Sequence, residues 1–308
     1  MPYFIGMDGG GTKTHCVVTD ELKNILYECR GGHSNFLMFG VDTVTETIIS
    51  LLKESRDALK FSFDQVESVV LGTTGAGRRN DAERLENNVI ARLKEENIVL
   101  KRFRVESDAR IALEAAFPGM SGSIIIAGTG SIMFGKDAEG RVYRVGGFGR
   151  HIGDEGSGTM IGKKGLIAVA RALDLRGEPT LISELVKSKI KVDSVSDLIT
   201  EIYTNNFDIA SAAPVVIEAA EKGDAAAQKI LDEESSNLVI HISAMMKQMK
   251  TDTLRVSFIG GVITNDNHFS RLLMEKIKNE LPGVEVVVSE NSPAFGAVIM
   301  AMELVVHN

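Results

Sequence analysis

The chain reads twice. Apolar, β-branched segments at Tyr3–Asp8, Thr14–Thr19 and Asn24–Arg30 predict three consecutive strands, and Ser123–Ala127, Ser131–Lys136 and Arg141–Val145 predict three more in the same order. In both halves the turn joining the first two strands is built of glycine and hydroxyl residues: Asp8-Gly9-Gly10-Gly11-Thr12 in one, Gly128-Thr129-Gly130-Ser131 in the other. Helical spacing of Val44, Ile48, Leu51, Leu52 and Leu59 predicts a helix over Asp42–Leu59. An apolar run at Val66–Thr73, a charged helix at Asp81–Glu95, a strand at Arg102–Glu106 and a helix at Ala109–Ala116 complete a βββαβαβα half. After its three strands, the second half has a helix at Met160–Leu173 and a mainly helical stretch. Strands at Leu254–Ile259 and Val284–Val288 follow, with a helix between them and a last helix from Pro293. Strands alternating with helices call for parallel sheets flanked by helices. The expectation is therefore an α/β chain of two similar domains with a cleft between them. The first spans residues 1–117 plus the C-terminal helix 293–308; the second spans 118–292, with a helical insertion at about 175–250.

Composition narrows the function classes. The formal charge of −8 argues against a nucleic-acid binder, whose phosphate contacts need clustered Lys and Arg. No window approaches the ~18 consecutive apolar residues of a membrane span. The Met1-Pro2-Tyr3-Phe4 start lacks the basic segment of a secretory signal, and two cysteines cannot make a disulfide framework. A cytoplasmic chain is expected. Glycine is over-used, 30 of 308 residues, and 24 of these fall at or before Gly165. Such a skew places the work of glycine in particular loops.

Those loops carry the candidate chemistry. Gly9, Gly10 and Gly11, followed by Thr12, Lys13 and Thr14, can wrap an anion with backbone N–H groups and hydroxyls. Asp8, delivered beside bound phosphates, would need a bridging cation, so it suggests Mg²⁺. Gly128, Thr129 and Gly130 repeat the arrangement in the second half. The chain has neither a G-x-x-x-x-G-K-[ST] loop nor a G-x-G-x-x-G fingerprint at a strand end. Asp108 stands where a strand passes into a helix; Ser107 or Asp108 could cap that helix, or Asp108 could take a proton from an attacking hydroxyl. The glycine-dense run Gly146–Gly158 predicts a backbone-rich loop in which Asp154 or Glu155 accepts from a polar ligand. Gly260-Gly261 ends a late strand and would let a flat base lie against backbone.

Together these pieces resemble the sugar kinase/actin/Hsp70 ATPase superfamily, and within it the BadF/BadG/BcrA/BcrD ATPase family, which includes N-acetylglucosamine kinases. Asp8–Thr14 matches its first phosphate motif, Ala127–Ser131 its second, Gly146–Ser157 a family-typical stretch and Gly260–Val262 its adenosine motif. The resemblance implies two ribonuclease H-like (actin-like ATPase) domains, ATP and Mg²⁺ as cofactors, and phosphoryl transfer to a sugar hydroxyl. It makes Asp108 the catalytic base and gives Thr12 and Thr129 to the phosphates. It assigns Asn35, Thr74, Gly75, Gly147, Phe148 and Asp154 to the sugar. N-acetylglucosamine kinases similar to the mammalian enzyme carry tryptophans beside the sugar. This chain has none, with Phe148 and Leu37 at those positions, so glucosamine, glucose or another hexose stays open beside N-acetylglucosamine. Two other readings attach to the same family: a kinase of broad hexose specificity, and an ATPase that activates a 2-hydroxyacyl-CoA dehydratase through a cysteine-held iron–sulfur cluster. A sugar-sensing regulator would append a helix-turn-helix module; the sequence opens directly on the first phosphate strand, so that reading is not the expected one. A homodimer is the common expectation.

Overall fold

The computed structural model describes residues 1–306 and divides into two compact units, 1–120 with 288–308, and 121–287. Unit 1 runs β1 (Tyr3–Gly9), β2 (Thr14–Thr19), β3 (Ile25–Gly31), α1 (Phe36–Phe39), α2 (Val41–Leu59), β4 (Val66–Thr73), α3 (Arg79–Glu95), β5 (Phe103–Ser107) and α4 (Asp108–Ala116). Its sheet has the order β3-β2-β1-β4-β5, antiparallel through the first three strands and parallel from β1 to β5. Alternation along β1 explains how both faces are covered. Ile5 and Met7 enter a core with Val44, Ile48 and Leu52 of α2 and Leu85 and Val89 of α3, whereas Phe4 faces the other way.

In unit 2, β6 (Gly122–Ala127), β7 (Ser131–Lys136) and β8 (Val142–Gly146) are followed by α5 (Gly158–Leu173), α6 (Leu181–Ile190) and α7 (Val195–Ile199). Short turns at Thr200–Thr204 and Ile209–Ala212 lead into α8 (Ala213–Glu221) and α9 (Ala225–Met249). The unit ends with β9 (Leu254–Ile259), α10 (Gly261–Thr264), α11 (His268–Glu280) and β10 (Val284–Val287). Its sheet order, β10-β9-β6-β7-β8, is that of unit 1 with the corresponding strands in the same places. The sequence repeat is thus a repeat of topology, two five-stranded ribonuclease H-like sheets. The insertion forms the helices α6 to α9.

The last helix, α12 (Pro293–Val306), belongs to unit 1; residues 307 and 308 lie outside the described residues. It packs on β1, β4 and α4 through glycine. A Cβ at Gly6 would overlap the Ala294 carbonyl and Val298 N, and one at Gly296 would overlap Ile111 O. Buried Val298 and Ala301 then reach Val17 and Val70. A fully buried valine of this kind contributes on the order of 2 kcal/mol.

The turn between β7 and β8 supplies a pH test of the fold. Burial works against ionisation of Asp137, but hydrogen bonds from the Tyr143 hydroxyl, the Arg141 guanidinium and the Arg141 N–H outweigh it and hold its pKa down to about 2. A depressed carboxylate stabilises above its unfolded pKa and loses that contribution as pH falls through its folded one. Asp137→Asn should therefore lower the melting temperature at pH 7 by a few degrees. Thermal scans should show the gap to wild type closing between about pH 4 and pH 2; a gap independent of pH would contradict this.

Candidate active site

Four glycines stand apart from the rest. Gly10, Gly11, Gly77 and Gly128 have no positive φ, and a Cβ at any of them would meet no protein atom within 4 Å. Neither backbone strain nor packing requires glycine there. They leave cradles that a Cβ would fill, and three of the four lie in the two loops predicted to hold phosphate. Their neighbours contrast with them: a Cβ at Gly9 would overlap Ser34 Oγ, and one at Gly130 would stand 3.1 Å from the Asp154 carboxylate.

In unit 1 the first loop is fixed by what surrounds it. The Gly10 carbonyl accepts from the N–H groups of Ser34 and Asn35, at 2.9 and 3.2 Å, and the Gly9 carbonyl from Thr74 N at 3.3 Å. Buried Thr73 closes the set by donating its hydroxyl to Ser34 O at 2.7 Å. Thr12 and Lys13 are exposed beyond the turn.

The carboxyl ends of β1, β4 and β5 bring the predicted acids together. Ser107 caps α4 by accepting from Arg110 N, which places Asp108 in the first turn rather than before it. Asp108 Oδ1 accepts from Ala109 N and Oδ2 from the Thr74 hydroxyl, both at 2.8 Å. Asp8 is paired in register with Gly72 of β4. Burial first, and the negative charge of Asp108 second, push the Asp8 carboxyl above its ordinary range, with His15 and Lys13 pulling against them. Two carboxylates that repel each other beside an open glycine cradle suit a hard divalent cation. Among the described residues no group of three or more His, Cys, Asp or Glu could form a protein cage for one. Asp8 and Asp108 are hard oxygen donors of the kind such a cation takes.

The predicted sugar residues fall in both units. In unit 1 Asn35 is buried and caps α1 by accepting from Leu37 N at 3.2 Å, so what it can offer a ligand is its amide NH₂. Gly75 has φ +99° and lies against Leu37. In unit 2 Gly147 has φ +72°, and Phe148 is 69% exposed with the Arg144 guanidinium over its ring. Asp154 holds a left-handed conformation, φ +61°, and accepts from Ser131 N at 3.4 Å. The segment after it is stitched to the second phosphate loop. Gly158 N donates to Gly128 O, Ser131 Oγ to Glu155 O, and Thr159 donates to Thr129 O through both its N–H and its hydroxyl.

Unit 2 also holds a cavity of about 670 Å³ lined by Gly128, Thr129, Gly158, Gly261 and Val262 on one side and Ala210, Pro214 and Ile217 on the other. Asp208, Ser211, Glu218, Glu221, Asn265 and Asn267 add polar groups to its lining, with Glu218 paired to Lys189 and Lys222 and Glu221 to Arg271. Apolar walls with a few polar groups suit a planar base and its ribose. Gly260, φ +102°, sits where a Cβ would overlap Ala127 O, so the ends of β6 and β9 close on one another beside this cavity. Sequence reasoning found its glycines and missed the wall supplied by the insertion. His151, in the same glycine-dense run, is exposed in a turn.

The sequence profile of the BadF/BadG/BcrA/BcrD ATPase family matches residues 5–301. An N-acetylmuramic acid/N-acetylglucosamine kinase from Clostridium acetobutylicum is 34% identical over 306 residues, covering 98% of each chain. An N-acetyl-D-glucosamine kinase from Dictyostelium discoideum is 30% identical over 97% of each. Among solved structures, a Chromobacterium violaceum protein designated a candidate N-acetylglucosamine kinase superposes with a TM-score of 0.73 at 22% identity, over 98% of this chain and 99% of that one. With the profile matched along nearly its whole length and relatives this similar from end to end, the chain belongs to the BadF/BadG/BcrA/BcrD ATPase family.

Proposed function

We propose that this chain is an ATP-dependent sugar kinase that transfers the γ-phosphoryl group to a hydroxyl of N-acetylglucosamine or a closely related amino sugar. The observation that carries the reading is the pairing of Thr74 with Asp108 at the lip of the unit 1 sheet, beside the open glycine cradle. Asp108 acts as general base, and the Thr74 hydroxyl, donating to one carboxylate oxygen, leaves the other lone pairs aimed by geometry rather than by chance. Gly9–Lys13 and Gly128–Gly130 receive the phosphates, and the unit 2 cavity with Gly260 and Gly261 receives the adenosine. Asn35, Thr74 and Gly75 in unit 1 and Gly147, Phe148 and Asp154 in unit 2 bind the sugar. Asp8 would hold Mg²⁺, which when bound neutralises charge on the β- and γ-phosphates. Phosphoryl transfer leaves little covalent chemistry to the protein, so positioning by these loops supplies most of the catalysis.

The amino sugar is preferred over a plain hexose on the strength of the relatives' substrates, and the exposed Phe148 offers an apolar face to an N-acyl group. The dehydratase-activator reading is disfavoured by the cysteines. Cys16 and Cys29 are buried in the unit 1 core, each within 3.8 Å of Ser55 Oγ, and neither presents a thiolate to a cluster. No helix among the described residues is long and apolar enough to cross a membrane, and a cytoplasmic homodimer acting on ATP and a free sugar completes the proposal. A coupled ADP-release screen over N-acetylglucosamine, N-acetylmuramic acid, glucosamine, glucose and mannose tests it. An N-acetylated amino sugar should give the highest kcat/KM; equal rates with every hexose would instead favour broad specificity, and no sugar dependence would refute the proposal.

A further inference from the structure

The glycine-dense run has an anchor that no motif marks. Glu234, in the middle of α9, is fully buried, and its Oε2 accepts from Gly156 N at 2.6 Å. Its Oε1 pairs with Lys164 Nζ of α5 at 2.6 Å and lies 3.4 Å from Asn237 Nδ2. Lys164 is also bound by Glu233. Gly156, with φ +78°, packs against Leu238 one turn further along α9. At the other end of the run, Gly146 rests on the imidazole of His241, again from α9.

Burying a carboxylate is costly, and a helix interior has no need of one. A pair such as Glu234–Lys164 could be replaced by apolar residues with little loss of stability. What an apolar pair could not do is accept from Gly156 N. Gly158 and Thr159 have separate ties to Gly128 and Thr129, so the phosphate loop is held without Glu234. Within residues 154–157, Ser131 Oγ donates to Glu155 O at 2.6 Å and Ser131 N meets Asp154 at the long distance of 3.4 Å, while the N–H of Gly156 is taken by Glu234.

We propose that Glu234, with Lys164 as its counter-ion, is a positioning residue for the sugar: it sets Gly156 and through it the carboxylate of Asp154. This rests on the proposed function, in which Asp154 binds the sugar. The insertion helix α9 is accordingly part of the specificity apparatus rather than only a packing layer. Displacements near 1 Å at a reacting centre cost up to about 100-fold.

The test is steady-state kinetics of the full chain with N-acetylglucosamine and MgATP. Glu234→Ala should raise the sugar KM roughly tenfold or more while the ATP KM changes less than about threefold. Glu234→Gln, whose amide oxygen can still accept from Gly156 N, should recover most of the loss. The double variant Glu234→Leu/Lys164→Met removes buried Glu234 together with its half-buried counter-ion, leaving no buried lone charge. It should stay folded, with the melting temperature lowered by no more than a few degrees for the Gly156 N–H left without its acceptor, yet show the full rise in sugar KM with the ATP KM unchanged, which a general loss of stability would not produce. Unchanged sugar KM in the folded double variant, or a rise confined to ATP, overturns the proposal. Wild-type protein inactive on every sugar would instead remove the proposed function on which it stands.

Discussion

Asp108→Asn is expected to lower kcat for sugar phosphorylation by about 10²- to 10⁴-fold, the contribution typical of a general base. Its KM values and melting temperature should stay near those of wild type. The reason is local. An asparagine in the first turn of α4 keeps an oxygen to accept from Ala109 N or from the Thr74 hydroxyl, so the geometry seen around Asp108 survives. What the amide loses is the ability to take a proton from the attacking hydroxyl. A fall in kcat without a matching rise in KM marks an interaction made in the transition state alone. Loss of sugar binding with kcat intact would assign Asp108 to recognition, and a rate within tenfold of wild type would remove it as the base.

The second large effect concerns glycines that packing does not explain. Gly10→Ala and Gly128→Ala each add a methyl that meets no protein atom within 4 Å. Folding stability should hold or rise slightly, since replacing glycine where the backbone permits it gains about 0.4–1 kcal/mol from the unfolded chain. The same methyl occupies the space proposed for phosphate oxygens, and the ATP KM should rise roughly tenfold or more, as expected when a backbone N–H cradle is held off its anion. Gly9→Ala provides the contrast. Its methyl would overlap the buried Ser34 side chain, so it should lower the melting temperature whether or not nucleotide is present. Paired thermal scans and ATP titrations separate the two classes. Alanine variants at 10 and 128 with unchanged ATP KM would mean that these cradles do not hold the nucleotide.

Much of the architecture was legible because its signals are short in range. The apolar run from Tyr3 to Met7 and the glycine–hydroxyl turns fix the strands on either side of each phosphate loop, and the 3.6-residue spacing from Val44 to Leu59 fixes α2. The spacing predicts α4 from Ala109 and leaves Ser107 and Asp108 both open as its cap; the helix starts at Asp108, and Ser107 is the cap. That difference matters because it frees the Asp108 carboxylate for Thr74, a residue 34 positions away. Contacts of this kind are set by the parallel pairing of β4 with β5 and have no local signature. The same holds for the cavity wall at Ala210, Pro214 and Ile217, which reads in the sequence as ordinary helical insertion. Glu234 is hidden more deeply still: in a run of acidic residues, Asp232-Glu233-Glu234, it looks like part of a solvated helix face, yet it alone of the three is fully buried.

The central claim is that the γ-phosphoryl group leaves ATP for a sugar hydroxyl. Incubation of the wild-type chain with γ-labelled ATP, Mg²⁺ and N-acetylglucosamine, with the labelled products separated, tests it most directly. The account predicts label in the sugar phosphate in equal amount to the ADP formed, and almost no ADP when the sugar is omitted. Label recovered as inorganic phosphate, at a rate indifferent to the sugar, would contradict it.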